Sequence, residues 1–230
     1  MFAIIKDSFF FFRLHFAPIA ILCLIIEGPY ILVSNISAFT QLTPQVSVLL
    51  AVFLFVASMV VYPFLTGSQI HLFYAVFNGR TPTMGQCIAR ARARLFPLVA
   101  ASFISLVLTL IGLTLFIFPG ILIAARLSLA GFFIVIEDYE AVEALKHSFA
   151  VTREHTLLIV NCFMLLILVL IGPQLLIYIA LHKMNFYSFV SSTLLDLLSV
   201  ILSSLFLVML FRIYCMIKEK EESRLRAVES

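Results

Sequence analysis

Tryptophan is absent from this sequence and charge is scarce: Asp, Glu, Lys and Arg make up 12% of the 230 residues, against 63% hydrophobic ones. A soluble globular domain is roughly a quarter charged and about half apolar, so this composition excludes an ordinary soluble protein. The mean hydropathy of +1.16 agrees. What charge there is lies bunched between long apolar runs, and no intervening stretch is long enough for a separate soluble domain. We therefore expect one polytopic membrane domain over residues 1–230, ending in a charged tail over 218–230.

Further absences narrow the function. There is no Gly-x-Ser-x-Gly, no glycine-rich phosphate loop, no His-Glu-x-x-His and no dinucleotide fingerprint, so a non-enzymatic protein with no cofactor is expected. Cys23, Cys87, Cys162 and Cys215 are far apart in sequence, which suggests neither a disulfide framework nor a metal motif, and they read as packing residues. His15, His71, His147, His155 and His182 are equally scattered, and no metal site is expected. A net charge of +3 with no basic arm gives no reason to expect nucleic acid. The N-terminal stretch, with Lys6 and Arg13 before an apolar run, resembles a signal peptide. It lacks a small-x-small cleavage site, however, and Glu27-Gly28-Pro29 interrupts its end, so it reads as a retained first span.

A helix crossing a hydrocarbon core of about 30 Å needs roughly 20 mostly apolar residues. Six runs approach that length: 16–33, 46–65, 95–118, 120–136, 156–181 and 193–217. The second can continue as helix to Phe77, since no Gly, Pro or charge stops it between Ser68 and Phe77. The fold class expected is thus all-α, with six transmembrane helices. Lys and Arg are lopsided across these spans. One side would hold Lys6, Arg13, Arg80, Arg90, Arg92, Arg94, Lys146, Arg153, Arg212 and the tail cations, whereas the other holds Lys183, with Arg126 inside a span. By the positive-inside rule both termini are expected in the cytoplasm. Tyr30, Tyr178 and Tyr187 near outer ends, and Tyr139 and Tyr214 near inner ends, then form the interfacial belt that Trp does not supply.

Two connections read as cytoplasmic amphipathic helices. Over Thr83 to Leu95 the residues Met84, Cys87, Ile88, Ala91 and Leu95 make one apolar stripe flanked by Arg90, Arg92 and Arg94. Over Glu140 to Glu154 the expected stripe is Val142, Leu145 and Phe149, with Glu140, Glu143, His147 and Glu154 opposite. The third and fourth spans are joined by little more than Pro119-Gly120, which implies a tight hairpin. Leu110-Ile-Gly112 returns as Leu170-Ile-Gly172, a weak internal echo of the sort transporters contain. Chance accounts for it at least as well, since apolar segments echo one another easily.

The stretch FPGILIAARLSLAGFFIVIEDYEAVEALKHSFAVTREH, from Phe118 to His155, resembles the signature of the YciC-like bacterial inner-membrane proteins. It also resembles a broader set that includes the membrane domain of some glycerophosphodiester phosphodiesterases. Pro119-Gly120, Arg126, Glu137, Ala144-Leu145, Ser148 and Thr152 carry the likeness, and LFRIYCMIK at Leu210 to Lys218 extends it loosely. The resemblance implies a multi-pass protein of the bacterial inner membrane and no defined chemistry. The diesterases act through a separate domain whose metal ligands have no counterpart here.

An ionisable group inside a span costs about 2.5 to 3.5 kcal/mol on insertion scales and marks a candidate site. Reckoned along their spans, Glu27, Arg126, Gln174 and Asp196 all fall in the outer half, where they would share one pocket with Arg126 paired to Asp196 or Glu27. The dipole of its own helix would then disfavour Arg126, placed near the N-terminal end, and a carboxylate would relieve it. The bland reading is that the charged three snorkel to the headgroups. Arg90, Arg92 and Arg94 are candidate contacts for anionic lipid headgroups at the inner surface, and ordinary positive-inside anchoring is the competing account. Glu140, Glu143, His147 and Glu154 are candidates for protein partners. The expectation is a non-enzymatic, lipid-interacting inner-membrane protein supporting envelope or membrane homeostasis. A small transporter or lipid-translocating protein, or a membrane scaffold for protein partners, are the alternatives. A transporter needs a polar cavity that reaches a surface, and a scaffold does not.

Overall fold

The computed structural model describes residues 2–40, 43–166, 168, 172–184 and 188–229, and among these there is no strand. The helices are α1 (Phe2–Leu14), α2 (Phe16–Ile26), α3 (Gly28–Phe39), α4 (Pro44–Phe77), α5 (Met84–Ala93), α6 (Leu95–Leu115), α7 (Ile117–Leu127), α8 (Ala130–Ile136), α9 (Ala141–Val151), α10 (Thr156–Leu166), α11 (Gly172–Lys183) and α12 (Phe189–Glu229), with a 3-10 turn at Thr152–Glu154. In hydrocarbon every backbone polar group must be satisfied within its own segment, and a nearly all-helical chain meets that demand.

Among the described residues four stretches are long and apolar enough to cross a membrane: Pro44–Phe77, Leu95–Leu115, Ile117–Ile136 and Phe189–Glu221. A fifth arises if Lys6–Leu14 and Phe16–Ile26, bent by 72° at His15, form one span. The second expected span does run on to Phe77, as the lack of a breaker implied. The expected first span is divided at Glu27, where Gly28 and Pro29 start a new helix. The expected fifth span holds α10 and α11, each short of 18 residues. Leu170, Ile171 and Tyr187, which carried the echo and part of the tyrosine belt, lie outside the described residues.

The two longest helices, α4 and α12, run through the bundle, and most other elements pack on one or both. Where the C-terminal end of α4 meets α12 the core is aromatic. Phe73, Phe132, Phe133 and Phe211 are fully buried, and Phe132 stacks on Tyr214 with ring centroids 5.5 Å apart. The exterior is apolar too, with Leu49, Phe53, Leu115, Phe116 and Ile117 all exposed. A surface of that kind suits lipid rather than water.

Two local expectations need correction. The hairpin turns at Phe116, in an extended conformation, and Pro119-Gly120 sit inside the first turns of α7. Gly120 serves close packing instead: a Cβ on Gly112 would lie 2.8 Å from the Gly120 Cα, so only glycines let α6 and α7 approach this closely. On α9 the buried face is Ala141, Ala144, Leu145 and Ser148, while Val142 and Phe149 of the expected stripe are exposed. Three of these four are small, which lets α9 come close enough to α7 for Ser148 Oγ to reach the Arg126 carbonyl at 2.7 Å. The helix is not laid apart on a surface. It runs back antiparallel along α8 and α7, with His147 on Phe133 and Ser148 reaching Arg126.

Candidate functional site

Four polar stripes at helical spacing interrupt the apolar helices. They are Glu27, Tyr30 and Ser34 on and before α3, then Ser58, Tyr62, Thr66 and Gln69 on α4, Ser102, Ser105 and Thr109 on α6, and Asp196, Ser199 and Ser203 on α12. Each steps by three or four residues, which puts its members on one helix face. All four stripes line a single, partly enclosed cavity of about 780 Å³. Apart from Ser128 its remaining wall is apolar and includes Phe132, Phe163 and Phe206. Pro63 of α4 lines it too; having no N–H, Pro63 leaves the α4 carbonyl four residues back without its helical partner.

The carboxylates differ in their partners. Asp196 Oδ2 accepts a 2.8 Å hydrogen bond from the Asn35 side-chain amide, which ties α12 to α3. Glu27 is 8% exposed and its carboxylate has no hydrogen bond or ion pair among the described residues. Deeper, Gln69 Nε2 donates to Ser204 Oγ at 2.8 Å and to Cys23 Sγ at 3.2 Å, a polar tie joining α2, α4 and α12. Gln174 accepts from Ser199 Oγ at 3.2 Å, so it meets the cavity wall through that serine. Of the four residues expected in one pocket, Glu27 and Asp196 line the cavity and Gln174 is attached to it.

Arg126 is not with them. It occupies the last turn of α7, where the helix dipole favours a cation, and the expected dipole penalty is therefore reversed. Its guanidinium lies 4.7 Å from the Phe149 ring centroid on α9, in place of a carboxylate. The helix breaks at Ser128 and Leu129, and the Arg126 carbonyl accepts from Ser148 Oγ at 2.7 Å and Thr152 Oγ1 at 3.1 Å. These hydroxyls satisfy a backbone group that the break exposes. The sequence expectation erred because it measured depth from a helix start at Gly120 and did not foresee the break after Leu127.

Arg90 of α5 and Arg94 at its C-terminal cap are also engaged within the chain. A capping box between Thr83 and Gln86 starts this helix, and Cys87 and Ala91 bury the expected stripe. Arg90 donates to the Val135 carbonyl from Nε at 3.1 Å and Nη2 at 2.9 Å, and Nη2 also meets Asp138 at 2.8 Å. Arg94 pairs with Asp138 and, at 3.6 Å, with Glu140. Arg92 is exposed. Asp138 adopts a left-handed φ of +63°, which Asp tolerates better than most residues. Hydrogen bonding from Arg90 first, and then from Arg94, holds its carboxyl below the usual carboxylate range. Across α8, Glu137 accepts from Tyr214 Oη at 2.7 Å and Lys218 Nζ at 2.9 Å.

The acidic face expected for partners is broken up. Glu140 and Glu143 share a shallow hollow with Lys146 and His147, Glu140 meets Arg94, and Glu154 pairs with Lys220 at 2.6 Å. Among the described residues no group of three His, Cys, Asp or Glu side chains is placed to hold a metal. What sequence reading missed are the hydroxyl stripes and Asn35; a search of each span for polar residues at steps of three and four would have found the stripes.

No solved structure matches this chain. It is 32% identical over 183 residues to a UPF0259 membrane protein of Yersinia pestis (strain Pestoides F), covering 78% of this chain and 70% of the relative. The same figures hold for a UPF0259 membrane protein of Yersinia pseudotuberculosis serotype O:1b (strain IP 31758). Residues 31–216, which include three of the cavity's stripes whole and all of the partnered charges around α8 except Lys218, match the Uncharacterised protein family (UPF0259), and the chain belongs to that family of membrane proteins.

Proposed function

We propose that this chain is a small, non-enzymatic transporter of the bacterial inner membrane that moves its substrate through the cavity between α3, α4, α6 and α12. The convergence of four polar stripes on one cavity of about 780 Å³ carries the reading. A polar helix face inside a bilayer needs protein or water against it, and a scaffold has no use for the space. The proposed topology has six crossings and cytoplasmic termini, with α2 and α3 acting together as one broken span and α10 with α11 as another. At 1.5 Å per residue α2 and α3 rise about 35 Å together, enough to cross a core of about 30 Å. Broken helices flank the substrate sites of many transporters, and Glu27 occupies such a break. The lopsided Lys and Arg distribution and the likeness to YciC-like proteins support the inner-membrane address.

A second reading keeps the chain as a lipid-interacting protein supporting membrane homeostasis. Exposed Arg92, with Phe96 at 83% exposure one turn on, favours it. It ranks lower because Arg90 and Arg94 are already spent on Val135 and Asp138.

Accessibility tests the transport reading. Ser105→Cys or Ser203→Cys, in a background with the four native cysteines replaced, is treated with a membrane-impermeant maleimide in sealed vesicles of each orientation. Labelling from at least one face is expected. If neither cysteine reacts from either face, while a control cysteine at Arg92 does, the cavity is closed to water and the transport reading falls.

A further inference from the structure

Resting on that transport reading, we infer that the cavity binds an organic monocation, its charged head at Glu27 and its apolar body against Tyr30, Tyr62, Phe132, Phe163 and Phe206. The lining contains two carboxylates and, among the described residues, no Lys, Arg or His. One carboxylate, Asp196, already accepts from Asn35. The other, Glu27, is more than nine-tenths buried, lines the cavity and has no polar partner among the described residues. An unpartnered buried carboxylate is costly, and a ligand cation offsets that cost directly.

Size and shape narrow the class. A space of about 780 Å³ is far larger than a metal ion needs and matches a drug-sized organic molecule. Aromatic walls attract cations through their ring faces and also bury an apolar body. Phe163 and Phe206 already pack together, with centroids 4.6 Å apart. A phospholipid headgroup would carry a phosphate into a lining that offers no basic group to meet it. The occupant is therefore an amphipathic ammonium or similar cation without a phosphate.

Binding of tetraphenylphosphonium to the full chain, purified in detergent, tests this, with tetraphenylborate as a competitor of the same shape and opposite charge. Saturable binding is expected, and the borate should not displace it. Glu27→Gln should weaken it about tenfold or more, Glu27→Asp should restore most of it, and a short-chain phosphatidylethanolamine should not compete. Equal competition by the borate, or wild-type binding by a folded Glu27→Gln, overturns the inference; competition by the phosphatidylethanolamine overturns its phosphate-free part. Should Glu27→Gln fail to fold, the phosphonium and borate comparison on the unaltered chain still decides. The cysteine labelling above is blind to ligand charge. Labelling without phosphonium binding sinks this inference and leaves transport standing, whereas no labelling sinks the transport reading itself.

Discussion

The charged end of α8 and the cavity wall treat their polar groups in opposite ways. Around α8, the Val135 carbonyl accepts twice from Arg90, Asp138 meets Arg90 and Arg94 at the end of α5, and Glu137 has two partners on α12. In the cavity, Glu27 has none among the described residues, although it is the more deeply buried carboxylate. Satisfied networks hold helices in a fixed relation, and an unsatisfied group held in place by packing is poised for something that arrives from outside. On the proposed reading, the end of α8 serves architecture and the cavity serves binding. That division also makes the two regions respond differently to substitution.

The largest effect should come from Arg90→Ala. It removes two hydrogen bonds from the last turn of α8 and half of the arginine pair on Asp138, and a loss of about 2 kcal/mol is expected. Unfolding of the detergent-solubilised protein by titrated SDS measures it, and phosphonium binding by the surviving folded fraction should stay within about twofold of wild type. A cavity that loses its ligand along with Arg90 would erase the division between the regions. Ser148→Ala with Thr152→Val comes next, leaving the Arg126 carbonyl without its side-chain donors. About 1 to 1.5 kcal/mol should be lost in the same titration; no loss would mean that the break after Leu127 re-forms as helix.

Glu27→Gln should do the reverse and leave stability unchanged or raise it by up to about 1 kcal/mol, because it deletes a buried charge that no described residue offsets. A clear loss of stability would show that Glu27 is structural after all. The comparison would then collapse from the cavity side.

Much of this was legible in the residues. Apolar runs announced the long helices, the absence of a breaker before Phe77 announced the length of α4, and the stripe through Cys87 and Ala91 announced the buried side of α5. What could not be read were relations between helices. Arg126 was placed by its distance along one span, but its surroundings depend on a break at Ser128 and on α9 folding back beside it. Hydrophobicity put Val142 and Phe149 of α9 inside, whereas the side turned to α7 and α8 carries Ala144 and Ser148, whose small size lets Ser148 reach the Arg126 carbonyl. Arg90 and Arg94 looked available for lipid because Asp138, more than forty residues later, has no sequence signal tying it to them. The cavity was half visible: Glu27 and Asp196 stood out as charges, and the serines and threonines between them passed as ordinary span residues.

The smallest effect sharpens the comparison most cheaply, because it follows a single group with pH. Asp138 has a folded-state carboxyl below its ordinary value, held there by Arg90 and Arg94. A depressed carboxyl contributes stability that is complete above the unfolded value and is lost as pH falls through the folded one. Its side chain is 47% exposed, so solvent screening limits the contribution to a few tenths of a kcal/mol. Unfolding titrations from neutral pH to below about 4 should therefore show a shallow decline that Asp138→Asn reduces. Asn tolerates the left-handed backbone at this position, so the substitution removes charge without adding strain. About 1 M salt, which cuts the screening length to roughly 3 Å, should shrink the same decline. If Asp138→Asn leaves the pH dependence untouched, the arginines of α5 are not held by Asp138, and they become available again for the anionic lipid that the sequence first suggested.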